Sequence, residues 1–135
     1  MYKNLLIPVV LDDAHDTQAS FLAAKALADD GAEFTVMHVV EEMPAYVASQ
    51  IPADLAASTR AEIERRLASL AKGLPGAKPK LVHGHAGRTI VDYATDNKVD
   101  CIIVASHIPG LQDYFLGSTA DRVVRHARCA VHVIR

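Results

Sequence analysis

Two short clusters in the last third of the chain bring together residue types that could hold an anion. They are Ser106-His107-Ile108-Pro109-Gly110 and Gly117-Ser118-Thr119-Ala120. The first interrupts an apolar, β-branched run, Cys101 to Ala105, short enough to be a fully buried strand. The second opens a helix that the pattern predicts over Leu116 to Ala127. A helix start leaves N–H groups unpaired and carries a partial positive charge, so negatively charged oxygen is favoured there without any cationic side chain. Ser118 and Thr119 add hydroxyl donors at the same spot. Read together, the two clusters make a cradle for phosphate oxygens. The plainer reading is a strand-to-helix connection with Ser118 as its N-cap.

Other reactive residue types give weaker signals. His15, His83 and His85 raise the question of a metal, but no i,i+4 pair or Cys/His spacing supports one. Nothing resembles a catalytic triad, and Ser118 at a helix start serves better as a donor than as a nucleophile. The charged residues Arg60, Glu62, Glu64, Arg65 and Arg66 fall on the polar face of a helix and read as a solvated surface.

The elements that must position these clusters alternate along the chain. An apolar run from Tyr2 to Leu11 predicts a central strand, with Pro8 marking its end or a bulge. Thr17 to Asp30 is alanine-rich and helical, and Gly31 stands where a C′ residue would end it. Glu33 to Val40 predicts a second strand. A long excursion from Glu41 to Ala53, carrying Pro44, Tyr46 and Pro52, has little periodicity and room for one helical turn. Ala53 to Lys72 is the strongest helix, with Leu55, Ile63, Leu67 and Leu70 near one stripe. After the breaker Gly73-Leu74-Pro75-Gly76, Lys78 to Gly84 predicts a third strand, which Pro79 places at a sheet edge. A helix over Gly87 to Asn97, the strand Cys101 to Ala105, the helix Leu116 to Ala127 and a last strand, Ala130 to Ile134, complete the order. Strands alternating with helices at this spacing imply an α/β fold of three layers around a five-stranded parallel sheet.

Composition mostly excludes. A chain of 135 residues is a single domain, residues 1–135, large enough to bury a core without disulfides or metals. A net charge of −2 with half the residues hydrophobic fits a soluble globular protein and argues against a nucleic-acid binder. Cys101 and Cys129 both sit inside apolar strand-like runs and read as core thiols in a reducing compartment. Leu5 to Val10 is too short for a signal peptide's apolar region, and no run is long enough to span a bilayer. The cytoplasm is the expectation, with no membrane partner.

Open α/β sheets collect ligands beyond the carboxyl ends of their strands, where the strand order reverses. Five strands in flavodoxin-like order put the reversal between the first strand and the fourth. Pro8 to Asp13 and Ala105 to Gly110 would then face each other across a crevice, with His38-Val39-Val40 and His83-Gly84-His85 bordering it. Architecture and local chemistry point to the same loop.

Ala105-Ser106-His107, Leu116 to Ala127 and Cys129 to Arg135 closely resemble the C-terminal third of universal stress proteins, best the short bacterial branch with an Ala-Ser-His-x-Pro loop. Pro8, His38-Val39 and Gly84-x-Ala86 extend the resemblance over the whole chain. It implies a parallel sheet of order 3-2-1-4-5, homodimerisation through the last strand and, in many members, ATP or another adenine nucleotide in the crevice, with any Mg²⁺ carried on its phosphates. On that pattern the Val39 backbone would read the adenine edge, Pro8, Val9 and Val10 would floor the ribose and Ala105 would flank it. His107, Gly110, Gly117, Ser118 and Thr119 would surround the phosphates.

Two departures stand out. ATP-binding members typically carry Gly-x2-Gly-x9-Gly-Ser/Thr; here Ala105 and Ile108 replace the first two glycines, and the loop to Gly117 is a residue shorter. Members also usually place Asp two residues after the first strand's Pro, where this chain has Val10; Asp12 could substitute if the loop were reshaped. The resemblance thus implies an ATP-binding dimeric regulator of the stress response that is not an enzyme, with at most slow ATP hydrolysis. The alternative is a relative that binds no nucleotide and works as a dimeric interaction module. A receiver domain would want an Asp after strand three and a Lys beyond strand five, where Gly84 and Arg135 stand; a flavin module would want a hydroxyl- and glycine-rich loop after strand one. The last strand supports pairing either way. Val131, His132, Val133 and Ile134 would form a flat edge, which a symmetry-related copy could close.

Overall fold

The computed structural model describes residues 1–12, 17–106 and 116–135. The elements are β1 (Tyr2–Pro8), α1 (Gln18–Leu27), β2 (Ala28–Val40), α2 (Ala45–Ala48), α3 (Ala53–Ala71), β3 (Lys78–His83), α4 (Ala86–Asp96), β4 (Cys101–Ala105), α5 (Ser118–His126) and β5 (Ala130–Ile134). All pairings are parallel, in the order β3-β2-β1-β4-β5. The expected sheet is therefore the one formed.

Strand periodicity sorts the central residues onto two faces. Leu5, Ile7, Val36, Cys101 and Ile103 pack with Phe21 and Ala24 of α1 and with Leu67 and Ala71 of α3. Leu6, Met37, Ile102 and Val104 pack with Ile90 and Ala94 of α4 and with Ala120 and Val123 of α5. Being covered on both faces explains why β1 and β4 read as unbroken apolar runs rather than as alternating ones. On the second face α4 and α5 approach closely. A methyl group added at Gly87 would lie 2.7 Å from Arg122 Cδ, so glycine is what lets the arginine stem lie on α4.

The amino end of the sheet is laced by polar contacts. The Asp100 carboxylate accepts from the Lys3 and Asn4 backbone N–H groups at 2.9 and 3.0 Å. The Asn4 side chain donates to the carbonyls of Asn97 and Lys98 at 2.9 and 3.3 Å, and Asp100 N–H returns a bond to the Asn4 carbonyl at 2.9 Å. The turn before β4 is thereby fastened to the start of β1.

Several boundaries differ from the expectation. The first helix stops at Leu27 rather than Asp30, because Ala28 already pairs with Tyr2 as strand. Gly31 does take a left-handed conformation, at φ +77°, but not as a C′ residue. It turns the chain inside an irregularity where β2 advances from Ala28 to Glu33 while β1 advances from Tyr2 to Asn4. β1 ends at Pro8 instead of Leu11, as a residue without an N–H should make it. Leu55 is 54 % exposed and no part of the core, in a stretch of α3, residues 53–62, that is exposed throughout. The single helical turn expected in the excursion is α2, and Pro79 lies on the edge strand β3 as expected. Cys129 is half-buried in the bend before β5 rather than within a strand.

Candidate functional site

The carboxyl ends of β1, β2 and β4 and the starts of α4 and α5 enclose a crevice of about 340 Å³. That size is in the range of small-molecule sites. Pro8, Val9, Val10, Val39, Ala105, Gly117, Ser118 and Thr119, all expected at the site, line it. Asp12 does not: it lines a neighbouring hollow between α1 and α3, because the chain past Val10 leans toward that side. His107 and Gly110, with Ile108 and Asp13, lie outside the described residues. Lining residues that the sequence did not single out include Thr17 and Ser20, Met37, Ala86 and Ile90. Thr17 and Ser20 are three apart at the start of α1, a spacing that puts both on one face and could have suggested them.

Hydrogen bonds between neighbouring strand ends hold the walls in place. Val9 N–H donates to the Met37 carbonyl at 2.8 Å, and His38 Nδ1–H donates to the Val9 carbonyl at 3.0 Å. On the other wall, Ser106 N–H and Ser106 Oγ both donate to the Ile134 carbonyl, at 2.8 and 3.0 Å. Ser106 is only 3 % exposed, so its hydroxyl belongs to this clasp. Among the described lining residues, His38 is the one titratable side chain, and its Nδ1 is committed to the backbone.

The starts of α4 and α5 both border the crevice, and they differ. At α4, Ala86 N–H donates to Glu41 Oε1 at 3.2 Å, and Arg88 N–H makes a long bond of 3.4 Å to His85 Nδ1. Two of its leading amides are thus served by side chains of the chain itself. At α5 the N-cap is Gly117, not Ser118, with extended backbone (φ −60°, ψ 153°) and no capping side chain. Ser118 is instead the first helical residue, which brings its backbone N–H and hydroxyl together at the crevice wall. The one first-turn carboxylate, Asp121, bonds Arg125 at 3.0 and 3.1 Å. An anion at the α5 start therefore meets amide donors that nothing else on the described chain claims.

The two thiols stand apart from this chemistry. Burial pushes the Cys101 thiol up to about 11, aided by Cys129 and by Asp100. Burial raises Cys129 as well, with Asp100 contributing. Cys101 packs on the α1–α3 face and Cys129 against the α4–α5 face, so the sheet separates them. Neither is positioned as a nucleophile toward the crevice. No group of three His, Cys, Asp or Glu among the described residues could hold a metal. No described helix is long and apolar enough to cross a membrane.

A three-layer α/β/α sheet of order 3-2-1-4-5, with a crevice at its reversal point, defines the class. The sequence profile of the universal stress protein family matches residues 1–135, and the chain belongs to that family. It is 28 % identical over 138 residues to a universal stress protein of Thermus aquaticus, with all of both chains covered. It is 30 % identical to universal stress protein A homolog 2 of Coxiella burnetii, over 99 % of this chain and 95 % of the relative. The solved UspA from Lactobacillus plantarum superposes with a TM-score of 0.70 at 32 % identity, covering 99 % of this chain and 98 % of the other. More distant structures share the fold. One is a universal stress protein solved with cAMP, at 15 % identity and TM-score 0.70, covering 99 % and 97 % of the two chains. Another, from Archaeoglobus fulgidus, was solved with dAMP, at 16 % identity and TM-score 0.62, covering 99 % and 98 %.

Proposed function

We propose that this protein is an adenine-nucleotide-binding regulator of the stress response, that ATP is its ligand and that it acts as a homodimer. The observation that carries the reading is the contrast between the two helix starts. The one at α4 is served by Glu41 and His85, while the one at α5 offers uncapped amides beside the hydroxyls of Ser118 and Thr119. Phosphates belong at α5, and the apolar walls from Pro8 to Val10 and from Met37 to Val39 accept the base and sugar. Relatives of the same fold solved with cAMP and dAMP support an adenine ligand. Any Mg²⁺ arrives with the phosphates, and the reading assigns no catalytic step.

Dimerisation uses the open side of β5, whose other side is paired with β4. His132 is its central residue and is exposed, while Val131, Val133 and Ile134 are half-buried. Antiparallel pairing about a two-fold axis would bring the two copies of His132 together. His132→Asp then sets like charges against each other, and sedimentation should show monomers without loss of folding. A dimer that persists would place the contact elsewhere.

Calorimetry with ATP tests the nucleotide claim. Saturation at micromolar to submillimolar concentrations supports it. No saturation at millimolar ATP would favour the second reading, a dimeric interaction module. That reading draws on one observation: Val10, an apolar side chain 48 % exposed, occupies the crevice wall where a carboxylate would serve ribose hydroxyls.

A further inference from the structure

A second concavity lies on the other face of the sheet. The groove between α1 and α3 has a volume of about 730 Å³, larger than the crevice and within the small-molecule range. One wall is Gln18, Phe21, Leu22 and Lys25 of α1; the other is Arg66, Ser69 and Leu70 of α3 with Gly73 just beyond it. Both sets follow the i, i+3, i+4, i+7 spacing of a single helix face, so each helix turns a whole stripe toward the gap. The walls come close at Gly73, where an added methyl group would lie 3.1 Å from the Phe21 ring.

The lining is amphipathic. Phe21 is buried at the floor, Leu11 and Leu70 are half-buried, and Leu22 is left 59 % exposed on the rim. Lys25 and Arg66 stand on opposite walls, both exposed, and neither pairs with a carboxylate among the described residues. Asp12, the one acidic residue of the lining, sits at the β1 end. A ligand complementary to this surface has an apolar body to cover Phe21, Leu22 and Leu70 and a negative group to meet the two cations.

We propose that the α1–α3 groove is a second ligand site, for a small amphiphilic organic anion such as a medium-chain carboxylate. This claim does not depend on nucleotide binding in the crevice.

The test uses the full chain, the fluorescent sulfonate 8-anilinonaphthalene-1-sulfonate as reporter, and decanoate and decanol as competitors. The dye should bind saturably, and decanoate should displace it at least about tenfold more effectively than decanol. Lys25→Glu with Arg66→Glu should weaken dye and decanoate at least about tenfold, with Tm and circular dichroism unchanged because both residues are exposed surface charges. Gly117→Asp, at the crevice, should leave dye binding intact. Equal displacement by decanol, or full affinity in the charge-reversed variant, overturns the proposal. So does loss of dye binding in Gly117→Asp, which would place the dye in the crevice. Failure to bind ATP would leave each of these outcomes readable.

Discussion

At the amino end of the sheet, Asp100 and Asn4 tie the first residues of β1 to the turn before β4 with five hydrogen bonds that span the length of the sequence. At the carboxyl end, single backbone bonds, the His38 ring and the Ser106 clasp fix the strand tips, and the helix start at α5 has no side-chain cap among the described residues. Donors at the first end are consumed by acceptors from the chain itself. At the second, the leading amides of α5 have no side-chain cap among the described residues. Substitutions at the amino end should therefore change stability without touching binding, and substitutions at the carboxyl end should do the reverse.

The harshest trial of this division is a change between the two ends. Ile102→Ala removes a fully buried side chain from β4 and should cost about 2–5 kcal/mol in urea unfolding. It should weaken binding only through loss of folded protein. Asp100→Ala should lower stability by about 1.5–3 kcal/mol, because two backbone N–H groups lose a charged acceptor. ATP affinity in that variant should match the unaltered protein by calorimetry; a large loss would show that the ends are coupled.

Cys101, paired with Leu5 near the amino end, gives the division a pH signature. Its thiol is raised in the fold from 9.0 to about 11, so the folded state holds a proton that the unfolded chain releases. Stability should accordingly fall as pH rises from about 9 toward about 11, by at most ~1.4 kcal/mol per pH unit. Cys101→Ala should flatten that slope in denaturation curves taken across the window. The smallest stability change is expected from Gly117→Asp. An aspartate N-cap should stabilise α5 by a few tenths of a kcal/mol while its carboxylate fills the seat proposed for phosphate. Calorimetry should find ATP binding abolished in a protein no less stable than before, and retained affinity would sink the proposed phosphate position.

Sequence reading placed β4 and β5 at their observed bounds, because short β-branched runs flanked by turn residues leave few alternatives. Alternation of strands and helices implied a parallel sheet, and its order came from the resemblance to universal stress proteins. What escaped was decided by partners far away in sequence. Ala28 to Asp30 continues a helical pattern, and only the pairing of Ala28 with Tyr2 converts it to strand. Ser118 is the better capping residue by chemistry, but the backbone turns one residue earlier and Gly117 takes the position. Which way the loop after Pro8 leans is not written in its spacing, so Asp12 was expected at the crevice and lies in the neighbouring hollow. The stripes on α1 and α3 are each visible in the sequence; that they face each other across a gap is not.

Val10 and Thr17 belong to the lining of both hollows, the crevice and the α1–α3 groove. They form a party wall. An occupant that shifts Val10 from one side alters the surface offered on the other, and linkage makes the effect reciprocal: whatever factor a nucleotide imposes on the groove, a groove ligand returns to the nucleotide. With both proposed sites filled, the chain would in that way compare two chemical signals rather than register one.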